Sequence, residues 1–147
     1  MKIVVPLDGS AASERALDHA LSLAVTNPGT LLILVNVQTP DTLGVPDIRM
    51  SSTDARVLAG RQSETLLRKS VEACEQHHVS CETRAEYGEP VAETIVRVAH
   101  EAGADQIVMG ARGLGRLRGL VFGSVTTQVV HLTDMPVTLV KAASPRP

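Results

Sequence analysis

Aromatic residues are almost absent from this chain. Its 147 residues include no tryptophan, and Tyr87 and Phe122 are the only aromatic side chains. Proteins that bind single-stranded nucleic acid stack bases on aromatic rings, and nucleic-acid binding in general is marked by a basic excess. The formal net charge here is -2. The sequence therefore argues against a nucleic-acid-binding protein.

Long hydrophobic runs are also lacking. No apolar segment approaches the roughly 18 residues that a membrane-spanning helix requires. The first ten residues, MKIVVPLDGS, are interrupted by Pro6 and Asp8 too early for the apolar region of a secretory signal. We therefore expect a cytoplasmic protein that does not bind membranes.

Cysteine is scarce, and its two occurrences are close together. Cys74 and Cys81 flank His77 and His78 in the pattern Cys-x2-His-His-x2-Cys, which superficially resembles a zinc site. We favour a structural role, because Cys74 falls on the apolar face of a predicted helix and Cys81 opens a predicted strand. Free cysteine often behaves as a small buried hydrophobe, and a disulfide is not expected in the cytoplasm. No metal site is predicted.

Strand and helix patterns alternate along the chain. Apolar or alternating runs predict strands at 2–7, 31–37, 81–87, 106–109 and 137–141. Helical spacing predicts helices after Ser10, over 54–77, after Pro90 and over 125–132. This order requires crossover connections and a parallel sheet covered on both faces. We predict one α/β domain over residues 1–147, a doubly wound five-stranded parallel sheet flanked by four helices, with a polar loop over 39–53.

The stretch 110–124, GARGLGRLRGLVFGS, contains five glycines and three arginines directly after the fourth predicted strand. In doubly wound sheets, ligands bind at the carboxyl ends of the strands where the strand order reverses. If the chain winds outward from its first strand and then returns to that strand's other side, strands one and four flank this crevice. Asp8 then lies on one lip and the glycine-rich stretch on the other.

This glycine-rich stretch has the chemistry of a phosphate site. Glycine lets backbone N–H groups approach an anion without a Cβ in the way, and a loop running into a helix start binds anions. Gly123 and Ser124 lie at such a helix start, and the arginines add positive charge. The ligand implied is a nucleotide with two or more phosphates. The stretch is not a Walker A loop, which needs lysine before Ser or Thr in the G-x4-G-K spacing.

The spacing G-x2-G-x9-G-S, formed by Gly110, Gly113, Gly123 and Ser124, resembles the motif of the ATP-binding branch of the universal stress protein family. The segments PLDGS, VNV and MPVTLVK are also similar to that family, so the resemblance covers essentially the whole chain. It implies a Rossmann-like fold of the adenine-nucleotide α-hydrolase type. The ligand neighbours that it implies are Pro6, Leu7, Asp8, Val37, Met109, Gly110, Arg112, Gly113, Gly123, Ser124, Val125 and Thr126.

The resemblance also implies which of these residues would contact each part of ATP, bound with Mg²⁺. Asp8 would face the nucleoside, and the backbone of Val37 would meet the adenine edge. The first two glycines of the motif would let the loop wrap the ribose and phosphates, while Gly123 and Ser124 would bind phosphate. Asn36 stands where the family often has histidine.

The same resemblance implies a homodimer. Family members commonly pair through the last strand, here Val137 to Lys141. Without a partner this strand would be an unprotected sheet edge.

Three functions are open at this point. The first is a nucleotide-dependent regulatory or stress-response module that is not an enzyme, or at most a weak ATPase, because no base stands near the phosphate binders. The second is a slow ATP-hydrolysing or phosphate-transferring enzyme, with Mg²⁺ held by the phosphates and by Ser124 or Thr126. The third is an oligomerisation or adaptor domain with an empty crevice. Asp8 also has a structural alternative, which is to cap the first helix together with Ser10.

Overall fold

The computed structural model describes residues 1–44, 50–88, 90–112 and 122–142. Its strands are β1 (Lys2–Pro6), β2 (Leu31–Gln38), β3 (Ser80–Tyr87), β4 (Gln106–Gly110) and β5 (Val137–Val140). Its helices are α1 (Ala11–Thr26), α2 (Pro40–Leu43), α3 (Ser52–Gln76), α4 (Val91–Glu101) and α5 (Ser124–Leu132). The predicted α/β class is confirmed.

The five strands form one parallel sheet in the order β3-β2-β1-β4-β5. The chain moves outward from β1 to β3 and then returns to β4 on the other side of β1. The strand order therefore reverses between β1 and β4, as predicted. Crossover helices diverge at such a point, which leaves a crevice at the carboxyl ends of the two strands.

Alternate side chains of each strand form a core on each face of the sheet. On one face, Ile3 and Leu32 pack against α1 and α3, and on the other, Val4 and Ile33 pack against α4 and α5. Strands buried on both faces have continuous apolar runs rather than alternating ones, as β1 and β2 do. Among the described residues, no helix has both the length and the hydropathy that crossing a membrane would require.

The segment predicted as a loop over 39–53 contains helical structure at both ends. Thr39 caps the single turn of α2 by accepting a hydrogen bond from the N–H of Thr42 at 3.3 Å, and its own N–H donates to Thr42 Oγ1 at 2.8 Å. α3 starts at Ser52, with Ser51 as its N-cap. The prediction of an uninterrupted loop is wrong, because both ends carry hydroxyl caps that start helices. Residues 45–49 lie outside the described residues.

The two outer strands present different free edges. β3 carries alternating charged side chains that pair with α4: Arg84 contacts Glu101 at 3.1 Å, and Glu86 contacts Arg97 at 2.9 Å. β5 has the sequence VTLV, and all four of its residues are half-buried. Charged side chains discourage the pairing of a sheet edge with another chain. Among the described residues, only the β5 edge lacks such charged side chains.

The two cysteines lie in the core between α3 and β3. Cys74 is buried and Cys81 is partly exposed. Burial, together with the neighbouring Cys81, raises the pKa of the Cys74 thiol to about 12. The thiolate is the reactive form of cysteine, so Cys74 is protonated and inert at neutral pH. Among the described residues, no group of three or more His, Cys, Asp or Glu side chains is arranged to hold a metal ion.

We expect Cys74 to resist alkylation by iodoacetamide at pH 8 in the native protein, because its thiol is buried and its raised pKa keeps it protonated. Cys81 should react faster, and both should react at similar rates in guanidinium chloride. Mass spectrometry of peptides sampled over time measures the two rates separately. Equal rates in the native protein would contradict the burial of Cys74.

Candidate functional site

A crevice of about 230 Å³ opens at the carboxyl ends of β1 and β4. The β1–α1 turn, the end of β2 and the first turns of α4 and α5 form its walls. The predicted ligand neighbours that line it are Pro6, Leu7, Asp8, Val37, Met109, Gly110, Arg112, Gly123, Ser124, Val125 and Thr126. Gly113 lies outside the described residues, as does the rest of 113–121. The structure thus brings together segments that are more than 100 residues apart in the sequence.

Several lining residues are absent from the sequence-based prediction. They are Ser10, Ser13, Val35, Val91, Ile95 and Phe122. Val91 and Ile95 belong to the first turns of α4, which begins at the same edge of the sheet because every helix that follows a parallel strand begins there. The predicted order of strands and helices was therefore enough to place the start of α4 at the crevice. Together with Val37 and Met109, these two side chains make one wall of the crevice apolar.

Pro6 interrupts the hydrogen bonding between β1 and β4 at the crevice. The register between the two strands ends at Val4 and Ile107, although both strands continue. The N–H of Leu7 donates to the carbonyl of Val35 in β2 at 2.8 Å, so the peptide group one residue earlier faces β4. That residue is Pro6, which has no N–H to donate. The hydrogen-bonded register between the two strands therefore ends here, at the edge of the sheet where the crevice lies.

The peptide group of Val37 faces the space beyond the end of β1. Peptide groups alternate in direction along a strand. The carbonyl of Val35 points towards β1, where it accepts from Leu7, and the carbonyl of Gln38 points towards β3, where it accepts from Gly88. Val37 lies two residues after Val35 and one before Gln38, so its peptide group points to the β1 side. β1 pairs with β2 only as far as Pro6. Among the described residues, the N–H and C=O of Val37 therefore form an unpaired donor and acceptor beside the apolar wall.

Asp8 and Ser10 have separate roles in the turn between β1 and α1. Ser10 is the N-cap of α1, and its hydroxyl accepts from the N–H of Ser13 at 3.2 Å. The Oδ1 atom of Asp8 accepts from the N–H of Ser10 at 2.9 Å, which holds the turn around Gly9 at a φ of +81°. Asp8 is exposed, and its Oδ2 atom has no hydrogen bond among the described residues. The carboxylate thus supports the turn with one oxygen and presents the other at the crevice.

Gly110 is required by packing rather than by backbone conformation. A Cβ at this position would lie 2.8 Å from the carbonyl carbon and 2.9 Å from the Cβ of Ala12 in α1. The carbonyl of Gly110 accepts from the buried hydroxyl of Thr126 at 3.0 Å. These contacts lock the end of β4 against the first turns of α1 and α5. Both helices therefore point their amino termini at one crevice.

The first turn of α5 has no side-chain cap. Gly123 is its N-cap, with φ −69° and ψ 163°, a conformation that any residue can adopt. The first N–H groups of a helix have no partner within the helix, and Gly123 leaves the space in front of them free of a side chain. Ser124 and Val125 of the first turn line the crevice, and so does Arg112. This end of the crevice suits an anion.

Chemically, the crevice has three different parts. One part is an apolar wall beside an unpaired backbone donor and acceptor, the second is a carboxylate, and the third is an uncapped helix amino terminus. A ligand that uses all three parts combines an apolar surface that has a polar edge, hydrogen-bond donors for a carboxylate, and an anionic group.

Comparison with known proteins gives concordant results. The family model described as the universal stress protein family matches residues 1–141. Universal stress protein YxiE of Bacillus subtilis is 32% identical over 146 residues, with 95% of this chain and 98% of the relative covered. The solved structure of hypothetical protein MJ0577 superposes with a TM-score of 0.85 at 25% identity, over 98% of this chain and 97% of that one. A universal stress protein solved in complex with cAMP gives a TM-score of 0.70 at 25% identity, over 97% and 98% of the two chains.

We expect Gly110→Ala to lower the free energy of unfolding by about 1–3 kcal/mol, because the added methyl group overpacks the contact with Ala12. Gly60→Ala is the matched control. It lies inside α3, where a Cβ meets no atom within 4 Å, and it should stabilise the protein by about 0.5–1 kcal/mol. Guanidinium chloride unfolding of both variants measures the difference. Equal effects of the two substitutions would contradict the close packing at Gly110.

Proposed function

This chain belongs to the universal stress protein family, and from that premise we propose that it is an ATP-binding member that acts as a nucleotide-dependent regulatory module in stress response. The observation that carries the proposal is the arrangement of two unsatisfied backbone groups around one crevice. The peptide of Val37 lies on one side, and the uncapped start of α5 lies on the other. A nucleotide with its base on one side and its phosphates on the other satisfies both.

The base would bind against the wall formed by Val37, Val91, Ile95 and Met109. Adenine presents an exocyclic N–H donor beside a ring-nitrogen acceptor. The adjacent C=O and N–H of Val37 match this pair. Burial of the ring against aliphatic side chains adds a hydrophobic contribution. The cAMP bound to the structural relative is also an adenine nucleotide.

The phosphates would bind at the first turn of α5. The N–H groups of Ser124 and Val125 and the hydroxyl of Ser124 are donors, and the helix dipole favours negative charge there. Gly123 lets the phosphate approach these amides closely. The carboxylate of Asp8 would repel phosphate, so it fits the ribose hydroxyls between the two ends instead.

Mg²⁺ would bind mainly to the phosphates. This ion usually keeps several waters and takes few protein ligands when phosphates are present. Ser124 and Thr126 are the hydroxyl residues in the first turn of α5. The hydroxyl of Thr126 is buried and already donates to the carbonyl of Gly110, whereas Ser124 is exposed. Ser124 is therefore the protein ligand we propose for the ion.

We propose that ATP is held rather than rapidly turned over. Hydrolysis needs a residue that positions or deprotonates the attacking water. Asp8 is the only carboxylate among the described residues that line the crevice, no histidine is among them, and one Asp8 oxygen already accepts from Ser10. This arrangement favours a switch whose shape or partners depend on the bound nucleotide.

Calorimetric titration with ATP, with and without Mg²⁺, tests the proposal. We expect saturable binding that Gly123→Val weakens by at least tenfold, because its side chain covers the helix amides. Ser124→Ala should weaken binding by about three- to tenfold, the equivalent of one hydrogen bond to a charged group. Thr127→Ala is the matched control, since Thr127 lies one position beyond the lining residues of α5, and it should bind like the wild type.

Two outcomes would contradict this function. Absence of binding heat, with no nucleotide released from the purified protein, would favour an oligomerisation or adaptor domain. Steady-state ATP hydrolysis that is lost in Ser124→Ala would favour the enzyme. Contaminating ATPases would not follow the substitution.

We also propose that the chain forms a homodimer through β5, the unprotected edge of the sheet. The carbonyl of Pro136 accepts from Ile107 in β4, and that of Val140 accepts from Ala111 just beyond β4. The peptide groups of Val137 and Leu139 therefore point away from β4, towards the free edge. A second copy could pair with these groups. The half-buried side chains of β5 would then become fully buried.

Sedimentation equilibrium of Leu139→Pro tests the dimer. Proline removes an outward-pointing donor without removing a bond to β4, so we expect a monomer at concentrations where the wild type is a dimer. Ala85→Pro is the control, because Ala85 occupies an outward-pointing position on the opposite edge strand, β3. Circular dichroism checks that both variants fold. A Leu139→Pro variant that is folded and still dimeric would contradict pairing through β5.

A further inference from the structure

A buried polar network lies behind the crevice. The side chain of Asn36 is at the centre of the sheet and only 2% exposed. Its Nδ2 donates to the carbonyl of Leu7 at 2.7 Å, while its Oδ1 accepts from Ser63 Oγ at 2.7 Å and from Gln38 Nε2 at 2.8 Å. A buried amide is costly unless its hydrogen bonds are made. Here both ends of the amide are satisfied, which fixes its orientation.

The network extends to the helices on that face of the sheet. Ser63 belongs to α3, and Gln38 Oε1 accepts from the hydroxyl of Thr42 in α2 at 2.8 Å. The flanking residues on the same face of β2 include Leu32 and Leu34, which are fully buried in the core. A leucine would match that core without any need for partners. The amide therefore has a role that an apolar residue could not supply.

The contact with Leu7 occupies a particular place in the β1–β2 ladder. The last backbone bond of the ladder runs from the N–H of Leu7 to the carbonyl of Val35. In a parallel ladder, the next bond would run from the N–H of Val37 to the carbonyl of Leu7. Asn36 Nδ2 donates to that carbonyl instead. A side-chain donor thus stands where a backbone donor would otherwise bind.

We propose that Asn36 is a positioning residue that ends the β1–β2 ladder and so keeps the peptide of Val37 available to a ligand. Its side chain donates to the Leu7 carbonyl. Because that acceptor is already hydrogen-bonded, the two strands gain little by pairing over one more residue. The inference deepens the proposed function, since the ligand group is the base edge of the adenine nucleotide. Asn36 does not touch the ligand and acts through Val37.

Amide hydrogen exchange in the ligand-free protein tests the structural half of this inference. In the wild type, we expect the N–H of Val37 to exchange at least tenfold faster than that of Val35, which lies within the ladder. In Asn36→Leu, the N–H of Val37 gains the Leu7 carbonyl as its acceptor, and its exchange should slow by at least tenfold. Ser63→Ala is the matched control, because it removes a network bond and leaves the contact between Asn36 and Leu7 in place. Its Val37 exchange should match the wild type within about twofold.

Binding of two probes tests the functional half. We expect the Kd of adenosine to rise by about three- to tenfold in Asn36→Leu, which corresponds to the loss of one base-edge hydrogen bond. The Kd of inorganic tripolyphosphate should not change, since the start of α5 is unaltered. A general loss of structure would weaken both probes. If Asn36→Leu does not fold, Asn36→Ser serves instead, because its hydroxyl is too short to reach Leu7.

The outcomes separate the two proposals. Slow exchange of Val37 in the wild type, or unchanged exchange in the folded Asn36 variant, overturns the positioning role whatever the protein binds. If the exchange rates are as expected but the wild type binds neither probe, the proposed function is overturned. The role of Asn36 in ending the β1–β2 ladder then still holds. Equal weakening of adenosine and tripolyphosphate overturns the role of Asn36 in base recognition.

Discussion

The missing amide hydrogen of Pro6 is the constraint on which the crevice depends. With an amide hydrogen at this position, the backbone bonds between β1 and β4 could continue past Val4 and Ile107. The proline stops pairing on one side of β1, and Asn36 takes the acceptor on the other side. Backbone pairing of β1 therefore stops early on both sides of this strand's tip. Among the described residues, this early end leaves the peptide of Val37 without a backbone partner.

The two helices that flank this tip begin in opposite ways. α1 is closed by its own serine, with Ser10 and Ser13 bonded to each other and with Asp8 holding the turn. α5 begins at a glycine and is left open. Gly110 brings the two starts together, because its missing side chain lets α1 pack directly against the end of β4. The site thus has one helix start that is capped by its own side chain and shapes the wall, and one helix start that has no side-chain cap.

The sequence was sufficient to predict the sheet, its order and the position of the crevice, because apolar periodicity and the strand–helix alternation are local signals. The family resemblance added a set of expected ligand neighbours, and those among the described residues line the crevice, but six further lining residues, including two in the first turns of α4, were not predicted. The sequence did not reveal why Gly110 is needed, since close packing against Ala12 depends on tertiary geometry rather than on a local φ value. The helical turn after Thr39 was missed although its capping residues are visible. The network of Asn36 and Ser63 joins residues 27 positions apart, and no periodic pattern reports such a contact.

The unequal edges of the sheet also bear on how far this chain can associate. A sheet with two receptive edges can add copies without limit, as in fibres. Here the β3 edge carries charged side chains that are already paired with α4, and among the described residues only the β5 edge lacks such charges. Two copies that meet through the same edge use it up on both sides. Association through sheet edges would then stop at two copies. The charged side chains of the β3 edge, rather than the contact through β5, set that limit.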